Sequence, residues 1–464
     1  MASAAEQLAA NVSWSAFSKA DELKKRIYFT LAALIVYRFG TFIPIPGVNP
    51  DAFAATFQQS SQGILGMFNM FAGGAVERMA IFALNIMPYI SASIIMQLMS
   101  SVDKRLEALK KEGEQGRKQI NQYTRYLTVV LATVQAYGIS IGLEASSGTI
   151  QTAAGAVTVP VVTDPGLYFR LSTVITLVGG TMFLMWLGEQ ITARGVGNGT
   201  SLIIFAGIVA ALPNALGQLF ALAEQGTLAT GMLLALLVVM VAAIVVIVFM
   251  ERAQRRLLVQ YPKRQVGNRM FQNDSSHLPL KLNTAGVIPP IFASSLLLLP
   301  ITAAQFAATP GAEASDWLTT VTAALGYGQP LHMLIYVILI VFFCFFYTAV
   351  VFNPQDTADN LRKYGGFIPG YRPGVATGKY IDYVLTRITA VGAIYLALVC
   401  LLPEVMISYA GVPASFGVVL GGTSLLIAVS VTMDTVSQVQ SHLIAQQYEG
   451  LIKKSNLRGG KARR

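Results

Sequence analysis

Charge is what this sequence has least of. Asp, Glu, Lys and Arg make up 12% of its 464 residues, apolar types make up 54%, and the mean hydropathy is +0.57. Soluble domains are about a quarter charged, so a chain of this composition has too little polar surface to face water on all sides. A secreted soluble enzyme and a disordered chain are both excluded. Cysteine is scarce as well. Cys344 and Cys400 both sit inside long apolar runs, which excludes a disulfide scaffold and reads as helix packing. The three histidines, His277, His332 and His442, share no spacing with each other or with cysteine, so no metal site is expected. Ionisable groups are missing from the apolar runs themselves. Arg38 lies within the first, while Glu189, Arg387, Glu404 and Asp434 lie near the ends of others. Ion- and proton-driven transporters need such groups at mid-membrane. Walker, nucleophile-elbow and HExxH motifs are all lacking. GVGNG (195–199) has neither a preceding strand nor a following Lys-Ser/Thr, and reads as a turn between helices. No enzyme activity and no cofactor are expected, and any motive force has to come from a partner.

What is present is a series of long apolar runs. A helix needs about 20 apolar residues to cross a bilayer core. Gly231 to Met250 supplies twenty without a charge, and further runs lie at about 27–45, 79–99, 126–143, 168–188, 200–220, 285–307, 331–352, 388–408 and 412–433. The sequence therefore predicts ten spans and an all-α polytopic membrane protein. The run Gly63 to Val76 is too short to span; it is either a surface helix or a segment folded back into the bundle. Residues 1–26 are polar and lack a signal-peptide pattern. Val12, Ala16, Ala20, Leu23 and Ile27 fall at helical spacing, which fits an amphipathic helix on the membrane or a solvated tail.

The net charge is +10, from 33 basic and 23 acidic residues. The N-terminus, the connections after the second, fourth, sixth and eighth spans, and the C-terminal tail together hold 28 of the 33 basic residues. The opposite-side connections hold only Arg78 and Arg170. The positive-inside rule then puts both termini in the cytoplasm, as an even span count requires. Two of the cytoplasmic connections, 251–284 and 353–386, are far longer than topology needs. They are either solvated topology signals or a docking platform for an acidic partner, ribosomal RNA included.

The motifs along these segments form a recognisable series. IPIPG (43–47), GMFNMFAGG (66–74), IFALNIMPYISASIIMQL (81–98), KKEGEQGRK (110–118), QYTRY (122–126), GTMFLMWLGEQIT (180–192), ERAQRR (251–256), HLPLK (277–281), FFCFFYTA (342–349), NPQDTADNL (353–361), GYRPG (370–374) and GGTSLLI (421–427) follow one another in order. Together they closely resemble the SecY family, the channel subunits of the bacterial protein translocase, from about residue 20 to 457.

That resemblance implies two inverted five-helix halves around a central pore. The halves would run over 27–220 and 221–437, between an N-terminal segment 1–26 and a basic tail 438–464. It implies an isoleucine ring at Ile86, Ile90, Ile204, Ile291 and Ile427, with Ala303 or Ala304 standing where another aliphatic residue is expected. It makes 63–76 the plug, with Gly66, Met67, Phe68, Asn69, Met70, Phe71, Gly73 and Gly74 at its centre. The second and seventh spans become a lateral gate, with Gln97 and Asn283 in a polar cluster. Arg255, Arg256, Lys263, Arg264 and Arg372 become docking residues. Gln355, where a basic residue is often seen, and Pro290 depart mildly from the pattern. The implied partners are the small membrane subunits SecE and SecG, the SecA ATPase, the ribosome with its RNA and exit-tunnel proteins, the translocating preprotein and anionic lipids, with SecDF and YidC as further contacts. The implied location is the bacterial plasma membrane. A secondary transporter for a small solute is the competing reading.

Overall fold

A computed structural model of the chain describes residues 21–60, 69, 72–145, 147–152, 155–225, 230–261, 265–266, 269–270, 276–307, 324, 326, 328–410 and 422–459. The helices, in chain order, are α1 (Asp21–Gly40), α2 (Pro50–Ser60), α3 (Met87–Val102), α4 (Lys104–Lys111), α5 (Glu114–Ala145), α6 (Leu167–Arg194) and α7 (Gly199–Glu224). They continue with α8 (Thr230–Arg252), α9 (Ile288–Ala307), α10 (Pro330–Val351), α11 (Pro354–Lys363), α12 (Val375–Ala410) and α13 (Gly422–Gly459). Three two-stranded hairpins interrupt them: β1 (Ser147–Thr152) with β2 (Gly155–Pro160), β3 (Gln254–Val259) with β6 (Ser276–Lys281), and β4 (Gln265–Val266) with β5 (Arg269–Met270). All three pairs are antiparallel.

Among the described residues six helices are long and apolar enough to cross a membrane by length and composition: Glu114–Glu144, Leu167–Arg194, Gly199–Gln218, Leu234–Arg252, Pro330–Lys363 and Val375–Ser408. α3 and the first half of α9 are shorter apolar helices. α1 and α13 overlap the first and tenth expected spans. Large apolar side chains also point outward at helical spacing. Tyr28, Leu31, Ile35 and Phe39 on α1 are exposed, as are Leu234, Val238, Val241 and Val245 on α8. A water-soluble protein rarely presents continuous apolar faces of this size; hydrocarbon accommodates them. The protein is a multi-pass membrane protein.

α5 and α6 run antiparallel and are fastened by an ion pair at each end. Arg125 on α5 holds Glu189 on α6 with two Nη2–carboxylate distances of 2.8 and 2.7 Å. At the other end Arg170 on α6 holds Glu144 on α5 through Nε and Nη2, at 2.9 and 2.6 Å. Glu144 also accepts the Gly166 N–H at 3.0 Å, and so caps the start of α6. Between α10 and α12 a buried pair plays a similar part. His332 Nδ1 lies 2.6 Å from Glu404 Oε1, which also accepts the Gly328 N–H at 2.9 Å.

Four expectations change on contact with the structure. The second span does not start at residue 79: residues 72–86 are turns and α3 begins only at Met87. Pro88 lacks an N–H and fits the first helical turn, and Asn85 before it takes φ +50, which ends any helix arriving from upstream. The connection 353–386 is not a loop throughout, because α11 and the first three turns of α12 occupy much of it. α7 runs four residues past 220, and the tail from 438 continues α13 without a break. The hairpins, finally, had no counterpart in the all-helical expectation.

The 79–86 turn is seated by two glycines. A Cβ at Gly40 would strike the Phe82 ring, and one at Gly180 would run into the backbone carbonyl of Ile81. Phe82 itself stacks between Tyr37 of α1 and Phe183 of α6, with centroids 6.3 and 5.8 Å away. Gly180→Val should therefore lower stability by about 1–3 kcal/mol through overpacking. Gly179→Val, where nothing lies within 4 Å, should change it little. Thermal unfolding of the detergent-purified protein compares the two; equal midpoints would contradict the packing argument.

Candidate functional site

The five isoleucines expected in the ring lie at the start of α3 and on three further helices, and all are part of the same apolar core. Ile86 directly precedes α3, Ile90 lies in its first turn, and Ile204, Ile291 and Ile427 sit on α7, α9 and α13. All five belong to one apolar cluster: Ile86, Ile204 and Ile427 are buried within it, and Ile90 and Ile291 are half-buried against it. The late start of α3 is what delivers Ile86 there, since the preceding turn replaces the helix that the sequence alone suggests. The side chains of Ala303 and Ala304 lie outside the described residues.

Of the short segment 63–76, Gly66, Met67, Phe68, Met70 and Phe71 lie outside the described residues, while Asn69 and residues 72–76 are described. Asn69 organises the base. Its Oδ1 accepts the Glu77 N–H at 2.9 Å, its Nδ2 donates to Glu77 Oε2 at 3.2 Å, and its carbonyl accepts the Gly74 N–H at 2.8 Å. Gly73 and Gly74 take φ +64 and +84, so the chain reverses where side chains would be strained. Ala72, Ala75, Val76 and Ala80 then close on one another as a small apolar knot.

α3 and α9 are in contact, as a seam between them requires. Gln97 is half-buried on α3. Asn283 is buried just before α9, and its amide is used elsewhere: Nδ2 donates to Glu251 Oε1 at 2.6 Å and to the Gly286 carbonyl at 3.1 Å. Sequence reasoning missed Glu251 because a carboxylate at the end of an apolar run looks like a boundary marker.

The two long connections form one body. β3 and β6 pair in register from Gln254↔Lys281 to Val259↔Ser276. Gln260 and Phe367 then exchange two backbone hydrogen bonds of 2.9 Å, which ties the hairpin to the segment after α11. Leu257, Val259 and Leu280 of the hairpin share an apolar core with Ile368 and with Ile381, Val384 and Ile388 of α12. Arg255 and Arg256 are exposed on β3, whereas Lys263 and Arg264 lie outside the described residues. Arg372 is exposed on the 370–374 turn, where Gly370 and Gly374 take φ +89 and +108. Its carbonyl accepts Thr377 Oγ1 at 2.8 Å, and Tyr371 beside it stacks on Tyr380 at 4.1 Å. The arginine is thus presented on a stiffened turn.

The sequence signature of the SecY family matches residues 80–436. The chain belongs to this family. Protein translocase subunit SecY of Rickettsia conorii is 54% identical over 444 residues, covering 95% of this chain and 99% of that one. The Pseudomonas aeruginosa subunit is 55% identical over 439 residues, covering 95% of each chain. The Escherichia coli subunit is 52% identical over 438 residues, covering 94% and 96%. Among solved structures, a SecY protein described for a plug domain that stabilises its closed channel superposes with a TM-score of 0.64 at 17% identity, covering 90% and 92% of the two chains. Sec61 from a canine ribosome–channel complex gives 0.60 at 15%, with the same coverage. These two likenesses speak for the fold.

The Glu251–Asn283 bond closes the base of the hairpin where α8 ends and α9 is about to begin. Asn283→Ala leaves the half-buried carboxylate short of a donor and should cost about 1–3 kcal/mol. The readout is the unfolding midpoint of the purified protein, and an unchanged midpoint would remove the bond from the account.

Proposed function

We propose that the protein is the central subunit of the Sec translocon, a gated protein-conducting channel of the bacterial plasma membrane. It passes unfolded preproteins across the bilayer and releases membrane spans sideways into lipid. The observation that carries this reading is the near end-to-end match to translocase SecY subunits at 52–55% identity; that Ile86, Ile90, Ile204, Ile291 and Ile427 all lie in the same apolar core supports it. A ring of branched apolar side chains closes around a moving chain, and when empty it resists wetting and ion leak. Segment 63–76 blocks the ring as a plug, and the α3–α9 seam, with Gln97 and Asn283 beside it, opens to lipid. The fold comprises ten spans in two inverted halves over 27–220 and 221–437, with both termini cytoplasmic.

The joined platform of 251–284 and 353–386, bearing Arg255, Arg256, Lys263, Arg264 and Arg372, docks the SecA ATPase and the ribosome through their acidic surfaces and RNA. SecE and SecG cover exposed helix faces, SecDF and YidC attach further out, and anionic lipids meet the basic side. The transporter reading finds no support among the translocase subunits that this chain matches almost end to end.

Proteoliposomes holding the purified complex should import preprotein only when SecA and ATP are added. Movement of a small solute without preprotein would overturn the reading. Arg372→Glu should reduce import at least about tenfold, the effect of losing an interfacial charge contact, with normal insertion of the channel itself; retained import would remove its role. Ile86→Asn and Ile427→Asn should each raise resting ion leak or relax signal-sequence stringency. Wild-type behaviour in both would undo the ring.

A further inference from the structure

Arg38 is the one charged side chain within the first apolar run, and nothing above gives it a task. It sits near the end of α1 and is half-buried. A guanidinium in such a place is costly unless its donors are taken up. Its Nη1 donates to the backbone carbonyl of Gly73, and more loosely to Thr41 Oγ1 at 3.4 Å. Its Cζ also lies 5.0 Å from the centre of the Phe42 ring, which carries Arg78 at 4.2 Å as well. Two like charges on one aromatic ring raise the value of any acceptor within reach. The carboxylate of Glu77, next to Arg78 in the chain, is held by Asn69.

Gly73 is wedged as well as bonded. A Cβ there would lie 3.0 Å from Arg38 Nη1, 3.1 Å from Gly207 Cα and 3.4 Å from Tyr37 Oη. The base of the short segment therefore fills the gap between α1 and α7. Its contact on α7, Gly207, is one helical turn from Ile204 and on the same face. The group that grips the base of the segment thus grips it against a helix that carries a ring isoleucine.

We propose that Arg38 is the positioning residue that latches the plug. Its charge-assisted hydrogen bond to the Gly73 carbonyl holds the base of segment 63–76 against α7 in the closed channel. The bond is given up when a translocating chain displaces the segment. Because the acceptor is a backbone carbonyl, side-chain variation within the segment does not touch the latch, whereas loss of the guanidinium releases it. The proposal rests on the plug reading of 63–76.

The test is a double-mutant cycle on the complete complex. Resting ion conductance is measured in planar bilayers, and export of a preprotein with a defective signal sequence is measured in cells. Four channels are compared: unmodified, Arg38→Ala, a deletion of residues 63–74, and the two changes combined. Arg38→Ala should raise the leak roughly tenfold, the effect of losing one charge-assisted bond, and should allow defective signals through. Arg38→Lys, which keeps a charge but not the forked donor, should fall between. The deletion alone should leak, and adding Arg38→Ala to it should change nothing further. A wild-type leak for Arg38→Ala beside a leaky deletion overturns the latch and leaves the plug standing. The same multiplication of leak by Arg38→Ala with and without the segment also overturns it, since Arg38 would then act through the fold of α1. A deletion that does not leak overturns the plug reading itself. Should Arg38→Ala fail to accumulate in the membrane, the leak of Arg38→Lys decides.

Discussion

Backbone hydrogen bonding in an apolar surrounding governs this molecule. In hydrocarbon an unpaired N–H or C=O costs several kcal/mol, so irregular backbone survives only where protein or a cavity supplies partners. The stretch from 72 to 86 meets that demand internally. Ala75 pairs with Ala72, Met79 with Val76, Ala80 with Ala75, Ala83 with Ala80 and Asn85 with Phe82, while Ile45 and Ile81 bond across to Met79 and Ile43. Each of these bonds lets a stretch of mostly apolar side chains stay packed without being helical. That freedom delays the start of α3, places Ile86 in the central cluster, and leaves a turn for Gly40 and Gly180 to receive.

Much of the helical scaffold was legible because it follows from length and hydropathy. α5 to α8, α10 and α12 stand where uninterrupted apolar runs predict them. The start of α3 was not legible, because IFALNIMPYI is apolar throughout and period alone does not separate a packed turn from a helix. Asn85 was the available signal: a residue that tolerates the left-handed region, three positions before a proline, marks a boundary more strongly than the surrounding hydrophobicity conceals it. The isoleucines proposed for the ring were singled out only through family resemblance, since an isoleucine in an apolar helix carries no local mark. Arg38 was visible as an anomaly. Its partner, a backbone carbonyl 35 residues away, leaves no trace in sequence.

The basic connections show the same division. Their charge sets them apart from the other connections in the sequence, but does not show that they fold together. Alternation in QRRLLV and SHLPLK is short, and each strand finds its partner across sixteen residues with several turn signals (Pro262, Gly267–Asn268, Asn273–Asp274), too long for a simple hairpin reading. The apolar core under the hairpin is assembled from three separate parts of the chain, β3 with β6, Ile368 and α12. The platform is thereby continuous with α12, which runs on for 36 residues into the bundle.

The clasp at the foot of that hairpin sets where α9 begins. Leu282 N–H bonds to the Ala253 carbonyl at 3.0 Å, Gln254 is paired with Lys281, and Glu251 holds Asn283. The last turn of α8 and the residues leading into α9 are therefore fixed to one another at a single point. Only Thr284 to Val287, with Gly286 at φ +63, lie between that point and the first residue of α9. The start of α9 is therefore placed from the end of α8, by a backbone bond, a strand pair and a side-chain bond that all close at one spot.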